Sequence, residues 1–216
     1  MVAIEKTSRF LRENGLYVFA THLTNVFFSI VRDNLVARQF RVAKIKIGSR
    51  AHLRGLACIH MGEDFSAQEG LWLEAITKYN DQVFTPRIVI GNHVRASHFV
   101  HIAATHFVEI GDHVLIGSRV MITDHNHGQY SHEHTSPKVP PTLRPLDTDR
   151  CVKIGNNVWL GDGVVVTPGS VIGEGSVIGA NSVVIGNIPP FVIAVGAPAT
   201  VRKIFNFDTG KWSSIK

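Results

Sequence analysis

The chain has 216 residues, enough for one sizeable domain or two small ones. A hydrophobic fraction of 44% argues against disorder, and two distant cysteines, Cys58 and Cys151, argue against a disulfide framework or a zinc or redox motif. The net charge of +5 suits a phosphorylated ligand, but no basic run interleaved with aromatics points to nucleic acid.

The first element in chain order, residues 1–44, reads as helical. Within it, residues 15–31 (GLYVFATHLTNVFFSIV) carry no charged side chain at pH 7. This run is shorter than the roughly 20 apolar residues that span a bilayer, and His22, Thr24 and Asn25 interrupt it. It lacks a small-residue cleavage site, which argues against a signal peptide. The expectation is a helix that packs on the body or on another subunit. A sharper reading is contact with a membrane surface, helped by Arg9, Arg12, Arg32, Arg38 and Arg41.

Residues 45–89 read as irregular early coils, with LWLEAI at 71–76 forming one side. From Ile90 the pattern becomes periodic. IGNHVR, ASHFVH and IAATHF are followed, after a two-residue shift, by IGDHVL, IGSRVM and ITDHNH. From Ile154 the run continues as IGNNVW, LGDGVV, VTPGSV, IGEGSV and IGANSV. The aliphatic residues Ile154, Leu160, Val166, Ile172, Ile178 and Val184 fall six apart, with a small or β-branched residue four later.

A period of six matches no helix, while its internal parity is that of a strand. Glycine after the aliphatic residue is expected to relieve a strained corner. Short strands joined by such corners make a β-solenoid: each coil alone cannot bury its apolar column, and stacking coils about 4.8 Å apart does so.

The repeat fails between residues 122 and 154. A regular solenoid gains nothing from an excursion of this length, and long loops in compact domains are often functional. The excursion leaves directly after DHNHG, which places His125 and His127 at the loop root. His132 and His134 lie further out and read as solvated loop residues.

The residues HIAA (101–104), ITDHNHG (122–128), RPL (144–146), VWLG (158–161), IGANSVV (178–184) and VGAPA (195–199) carry a resemblance to a known family. The sequence resembles the hexapeptide-repeat acyltransferases, closest to the branch that O-acetylates bacterial lipopolysaccharide O-antigen and capsule sugars. The resemblance covers about residues 45–205. It implies an all-β left-handed parallel β-helix with a helical N-terminal segment (1–44), a loop at 125–151 and a C-terminal tail (206–216). It also implies a homotrimer with active sites between subunits. The donor would be acetyl-CoA and the acceptor a sugar, with no metal and no nucleic acid. Because acetyl-CoA is cytoplasmic, so is the expected location, with peripheral inner-membrane contact as the sharper alternative.

In the family, the histidine at the root of this loop is the base, which carries over to His125. The chemistry fits, since a sugar hydroxyl is hardly ionised at neutral pH and an imidazole titrates near 6.5. Such help is worth about 10²–10⁴-fold in rate. Trp159 is a candidate oxyanion donor through its indole N–H, and equally a residue lining the cofactor groove. On an extended strand Asp124 and His125 point to opposite sides, so Asp124 is no obvious orienting partner unless the chain turns there. Asp124, His127, His101 and Arg144 are the acceptor-binding candidates. The galactoside-acetyltransferase branch has an asparagine and an aspartate where this chain has Ser97 and Thr105, which leaves acceptor orientation open. Backbone at Gly161, Gly179 and Ala180 is expected to let pantetheine approach closely. Arg202 and Lys203 are candidates for the cofactor phosphates.

Three other readings remain. One is transfer to a small sugar or amino sugar. Another is a zinc enzyme like the γ-class carbonic anhydrases, using His101, His106 and the His125 cluster. The third is a non-catalytic trimeric scaffold.

Overall fold

The structure is a computed structural model that describes residues 2–130 and 135–215. Among these residues the strands form three long sheets, of nine, six and six strands, with two small antiparallel pairs besides. The chain visits the three sheets in rotation, and the coil strands from Ile45 to Val195 in these sheets pair in parallel with those a coil away. His101 lies beside Trp72 and Met121, Phe107 beside Arg87 and Cys151, and Leu115 beside Arg95 and Trp159. This is a three-sided parallel β-solenoid.

The six-residue period is the period of one side. Ile90, Ile110, Ile154 and Ile172 stack on one interior column, and Ile102, Ile122, Val166 and Val184 on another. All are buried in one continuous core. Full burial of such a side chain stabilises by about 1.5–3 kcal/mol. Where the column turns polar, the hydroxyls are bonded. Ser170 Oγ donates to Val184 O (3.1 Å), Ser176 Oγ donates to Pro189 O (2.8 Å), and Ser182 Oγ accepts from Gly196 N (3.0 Å).

The hexad glycine has a different reason from the expected one. Gly111, Gly155, Gly161 and Gly179 do not adopt positive φ. That conformation falls two residues later, on His113, Asn157, Gly163 and Asn181. What requires glycine is the next coil. A Cβ on Gly155 would lie 2.7 Å from Glu174 N, and one on Gly161 would lie 2.7 Å from Ala180 N. Beside these glycines, Asn92, Asp112 and Asn156 form a ladder. Each side-chain oxygen accepts a backbone N–H from the coil before it, at 2.9, 2.6 and 2.8 Å.

The N-terminal helix spans Val2–Phe40, with a non-helical break at Gly15. Its last turns close the open end of the solenoid. Val36 and Ala37 are buried in the core, while Arg32 donates to Gly48 O (3.0 Å) and Ile47 O. Further up, Leu16, Tyr17, Phe27, Phe28 and Ile30 stand exposed. The tail expected at 206–216 is not separate. The strands Thr200–Asn206 and Lys211–Ser214 form an antiparallel hairpin that extends the nine-stranded sheet. Phe205, Phe207 and Trp212 of this hairpin pack edge to face, and Phe191 of the last coil packs edge to face on Phe207.

Candidate active site

The strand Met121–Thr123 ends at a bend on Asp124, and there the chain leaves the solenoid. The preceding coil turns the same corner at residues 105–107. Its backbone N–H groups would meet the carbonyls of the next coil if that coil continued. The excursion removes those carbonyls, and the Asp124 carboxylate replaces them. Oδ1 accepts from Thr105 N (2.9 Å) and Thr105 Oγ1 (3.2 Å), and Oδ2 accepts from His106 N and Phe107 N (both 2.8 Å). Asp124 has no exposed area. Burial by itself would raise its pKa. The hydrogen bond from His125 and the backbone N–H donations outweigh burial and hold the carboxyl below its ordinary value.

The same bend turns His125 back onto this carboxylate. Its Nδ1–H donates to Asp124 Oδ1 at 2.9 Å, and Thr123 Oγ1 lies 3.1 Å from the same nitrogen. Fixing the proton on Nδ1 leaves the lone pair on Nε2. The expectation that Asp124 contacts the acceptor is therefore corrected. The strand alternation that separated it from His125 ends at the bend, and its oxygens are all occupied inside the corner.

The excursion is braced by a second, smaller one. The hairpin of Lys78–Tyr79 and Gln82–Val83 leaves the solenoid at the same corner two coils earlier. Gln82 brackets Leu146 like a strand edge, with its amide donating to Leu146 O (3.2 Å) and accepting from Leu146 N (2.6 Å). Tyr79 Oη donates to Thr142 O (2.9 Å) and lies 3.2 Å from His127 Nδ1. The phenol's one proton goes to Thr142, so His127 donates through Nδ1. Within the loop, Asn126–His127 pairs antiparallel with Leu146–Asp147.

Arg144, expected to grip the acceptor, is instead a loop staple. It donates to Val139 O (2.8 Å), Tyr130 Oη (2.9 Å) and Pro137 O (3.3 Å). His132 and His134 lie outside the described residues. His101 sits one coil from Met121 on the outer face of the same sheet. Burial pushes its pKa down, against the opposing pull of Glu74. Among the described residues, no group of three or more His, Cys, Asp or Glu side chains is placed to hold a metal ion.

The cofactor candidates lie elsewhere. Trp159 stands half exposed on the nine-stranded sheet, a different side of the solenoid from the His125 strand. One chain does not bring the two together. The N–H groups of Gly161 and Gly179 are taken by Ile178 O (2.8 Å) and Ala194 O (2.9 Å), so neither is free for a ligand. Ala180 carries no acceptor for the coil before it, unlike Asp112 and Asp162 at equivalent corners. Among the described residues, the exposed Ala180 N–H has no partner. Arg202 and Lys203 are both exposed but are neighbours on one strand, so their side chains face opposite ways.

The sequence reading noted Thr105 without giving it a role, and missed Thr123, Tyr79 and Gln82. The break in the hexads between LWLEAI and IVIGNH, with YND inside it, is the one available signal for the bracing hairpin.

Comparison with known proteins agrees with this architecture. The family described as Bacterial transferase hexapeptide (six repeats) matches residues 151–186, the regular coils after the excursion. WbbJ of Escherichia coli strain K12, provisionally named a lipopolysaccharide biosynthesis O-acetyl transferase, is 41% identical over 189 residues. The match covers 86% of this chain and 92% of WbbJ.

The chain belongs to the hexapeptide-repeat acyltransferases.

Two solved members of this fold illustrate the range. Galactoside acetyltransferase in complex with coenzyme A is 29% identical, with a TM-score of 0.50, over 81% of this chain and 70% of that one. AntD, an N-acyltransferase from Bacillus cereus in complex with dTDP and 3-hydroxybutyryl-CoA, superposes with a TM-score of 0.59. It covers 74% of this chain and 79% of its own, and at 19% identity it shares the fold.

Proposed function

We propose that this protein transfers the acetyl group of acetyl-CoA to a hydroxyl of a bacterial surface polysaccharide sugar or its precursor. The observation that carries the reading is the His125–Asp124 pair, an imidazole held at Nδ1 by a buried carboxylate with Nε2 left as the base. Nε2 takes the hydroxyl proton as the sugar oxygen attacks the thioester carbonyl. The tetrahedral oxyanion collapses and expels the CoA thiolate, which takes the proton back from His125. Asp124 stays ionised throughout and stabilises the imidazolium, the role of the carboxylate in hydrolase triads.

Family resemblance and the separation of Trp159 from His125 support a left-handed β-helical homotrimer. In it, Trp159 of one subunit would meet His125 of the next, with the indole N–H facing the oxyanion or the cofactor. Trp159 and the unpaired Ala180 amide then line the donor groove, with Arg202 or Lys203 near its phosphates. His127 and His101 face the acceptor. No helix among the described residues is long and apolar enough to cross a membrane. The exposed apolar residues 16–31 support a peripheral contact with the inner membrane from the cytoplasmic side.

The test is an acetyl-transfer assay against nucleotide sugars and lipid-linked repeat units, read by mass spectrometry. A mass increase on a sugar is expected with wild-type protein and not with His125→Ala. No transfer to any acceptor, or equal transfer by both proteins, would defeat the reading.

A further inference from the structure

The small hairpin and the excursion meet at His127. This residue is exposed, yet it is gripped at three points. Its carbonyl accepts from Tyr130 Oη at 2.6 Å. Its backbone pairs with Leu146, which Gln82 brackets in turn. Its ring meets that of Tyr79 edge to face, with centroids 5.3 Å apart, and Nδ1 lies 3.2 Å from Tyr79 Oη. Among the described residues, Nε2 has no hydrogen-bond partner. Ordering an exposed side chain costs entropy, so a fixed pose with one open nitrogen suits a ligand.

The direction of the bonds fixes which nitrogen is open. A carbonyl oxygen only accepts. Tyr79 Oη therefore donates to Thr142 O at 2.9 Å, since otherwise two oxygens would face each other at that distance with no proton between them. Asn80 Nδ2 donates to the same carbonyl at 3.2 Å. With its own proton used, the phenol accepts from His127 Nδ1–H, which leaves a lone pair on Nε2. His125 has the same polarity but a different anchor. Its carboxylate partner balances an imidazolium, so it is equipped to take a proton. A neutral phenol does not balance that charge, so His127 is equipped to accept a hydrogen bond and not to store a proton. The α-carbons of the two histidines are at most about 7 Å apart, within reach of one sugar ring.

We propose that Tyr79 is a positioning residue that fixes His127 as the hydrogen-bond acceptor for a second hydroxyl of the acceptor sugar. The acceptor then carries a free hydroxyl near the one acetylated, and a sugar deoxygenated or blocked there is a poor substrate. A brace for the loop alone would not distinguish sugars with and without that hydroxyl. The inference deepens the acetyl-transfer reading and rests on it for the identity of the ligand, while the tautomer it requires is measurable without turnover.

The experiment is proton–nitrogen correlation NMR on the full chain with isotope-labelled histidine, using His127→Gln to assign the signal. Wild type is expected to carry the His127 proton on Nδ1, and Tyr79→Phe to carry it on Nε2, the tautomer that free histidine prefers. Methyl α-glucoside, methyl α-galactoside and methyl α-rhamnoside are the sugar probes, and at least one should shift the Nε2 signal in wild type and in His125→Ala. In the transfer assay, Tyr79→Phe should raise the acceptor KM by about three- to tenfold, with the KM for acetyl-CoA unchanged. The monodeoxy probe that lacks the recognised hydroxyl should show the same rise with wild type and no further rise with Tyr79→Phe. Asn80→Gly removes the other donor to Thr142 O at a positive-φ position that glycine adopts without strain, and it should leave the tautomer and both KM values unchanged. A proton on Nε2 in wild type, no shift with any probe, or the same KM rise in Asn80→Gly as in Tyr79→Phe would overturn the inference. If the tautomer and the shift are found but no acetyl group is transferred, the positioning of His127 stands and the proposed function falls.

Discussion

The coils of residues 151–195 and the excursion of residues 125–150 are held together by opposite means. The coils repeat one contact: an aliphatic residue on its counterpart a coil away, a glycine against backbone, and an amide on a carbonyl. Among the described residues the excursion buries little beyond Gly128, Leu146 and Asp147, and depends on single bonds made once each, by Gln82, Tyr79, Arg144 and Asp124. The coils are therefore sensitive to changes of volume, and the excursion to the loss of a named donor or acceptor. Stability and chemistry are placed in different parts of the chain.

Substitutions on the two sides should separate these properties. The largest effect is expected at His125. His125→Ala should lower kcat by about 10²–10⁴-fold while the melting temperature stays at the wild-type value. A parallel fall in melting temperature would make the residue structural. Ile172→Ala, in the coils, should do the reverse. It should cost about 2–5 kcal/mol of stability, with activity per folded molecule unchanged.

Asp124 belongs to both regions, and its variants sharpen the contrast. Asp124→Ala leaves backbone N–H groups of residues 105–107 buried without acceptors, at about 1–3 kcal/mol each. It should lose stability and activity together. Asp124→Asn keeps an acceptor in the corner but no charge, so calorimetry should show a smaller stability loss than kinetics shows in kcat. Arg144→Ala should be milder. Faster hydrogen exchange or proteolysis within the excursion is expected, with the global melting temperature unmoved.

The smallest effect concerns acid. The folded pKa of Asp124 is depressed, so its contribution is full above the unfolded value of about 3.9 and fades as pH falls through the folded value. The folded pKa of His101 is also depressed. Its share is full above about 6.5 and fades as pH falls below that. Stability should therefore decline on acidification in two stages, read by denaturant melts. His101→Gln should remove the first stage and Asp124→Asn the second.

The same contrast explains what the sequence made legible. The solenoid was readable because its reason repeats: Ile154, Leu160, Val166 and Ile172 each restate the period. His125 at the loop root was readable as the place where that period stops. Asp124 was misjudged because alternation along a strand was carried one residue too far, past a bend that no periodic signal marks. Arg144 and Gln82 were beyond reach for a related reason. Their partners are backbone groups far away in sequence, and a backbone carbonyl looks the same at every position. The glycines were placed correctly for the wrong reason, since crowding by the next coil and a strained dihedral predict the same letter.

The Asp124 corner has one more consequence. A shorter version of this chain, in which residue 124 ran straight into the next coil, would supply ordinary carbonyls to the amides of residues 105–107. It would be a more regular solenoid, and Asp124 would have no vacancy to fill. The interruption of the repeat and the carboxylate that orients His125 are therefore physically coupled, because the one opens the corner that the other fills. Deleting residues 126–150 to tidy the solenoid would remove the reason for the base along with the loop.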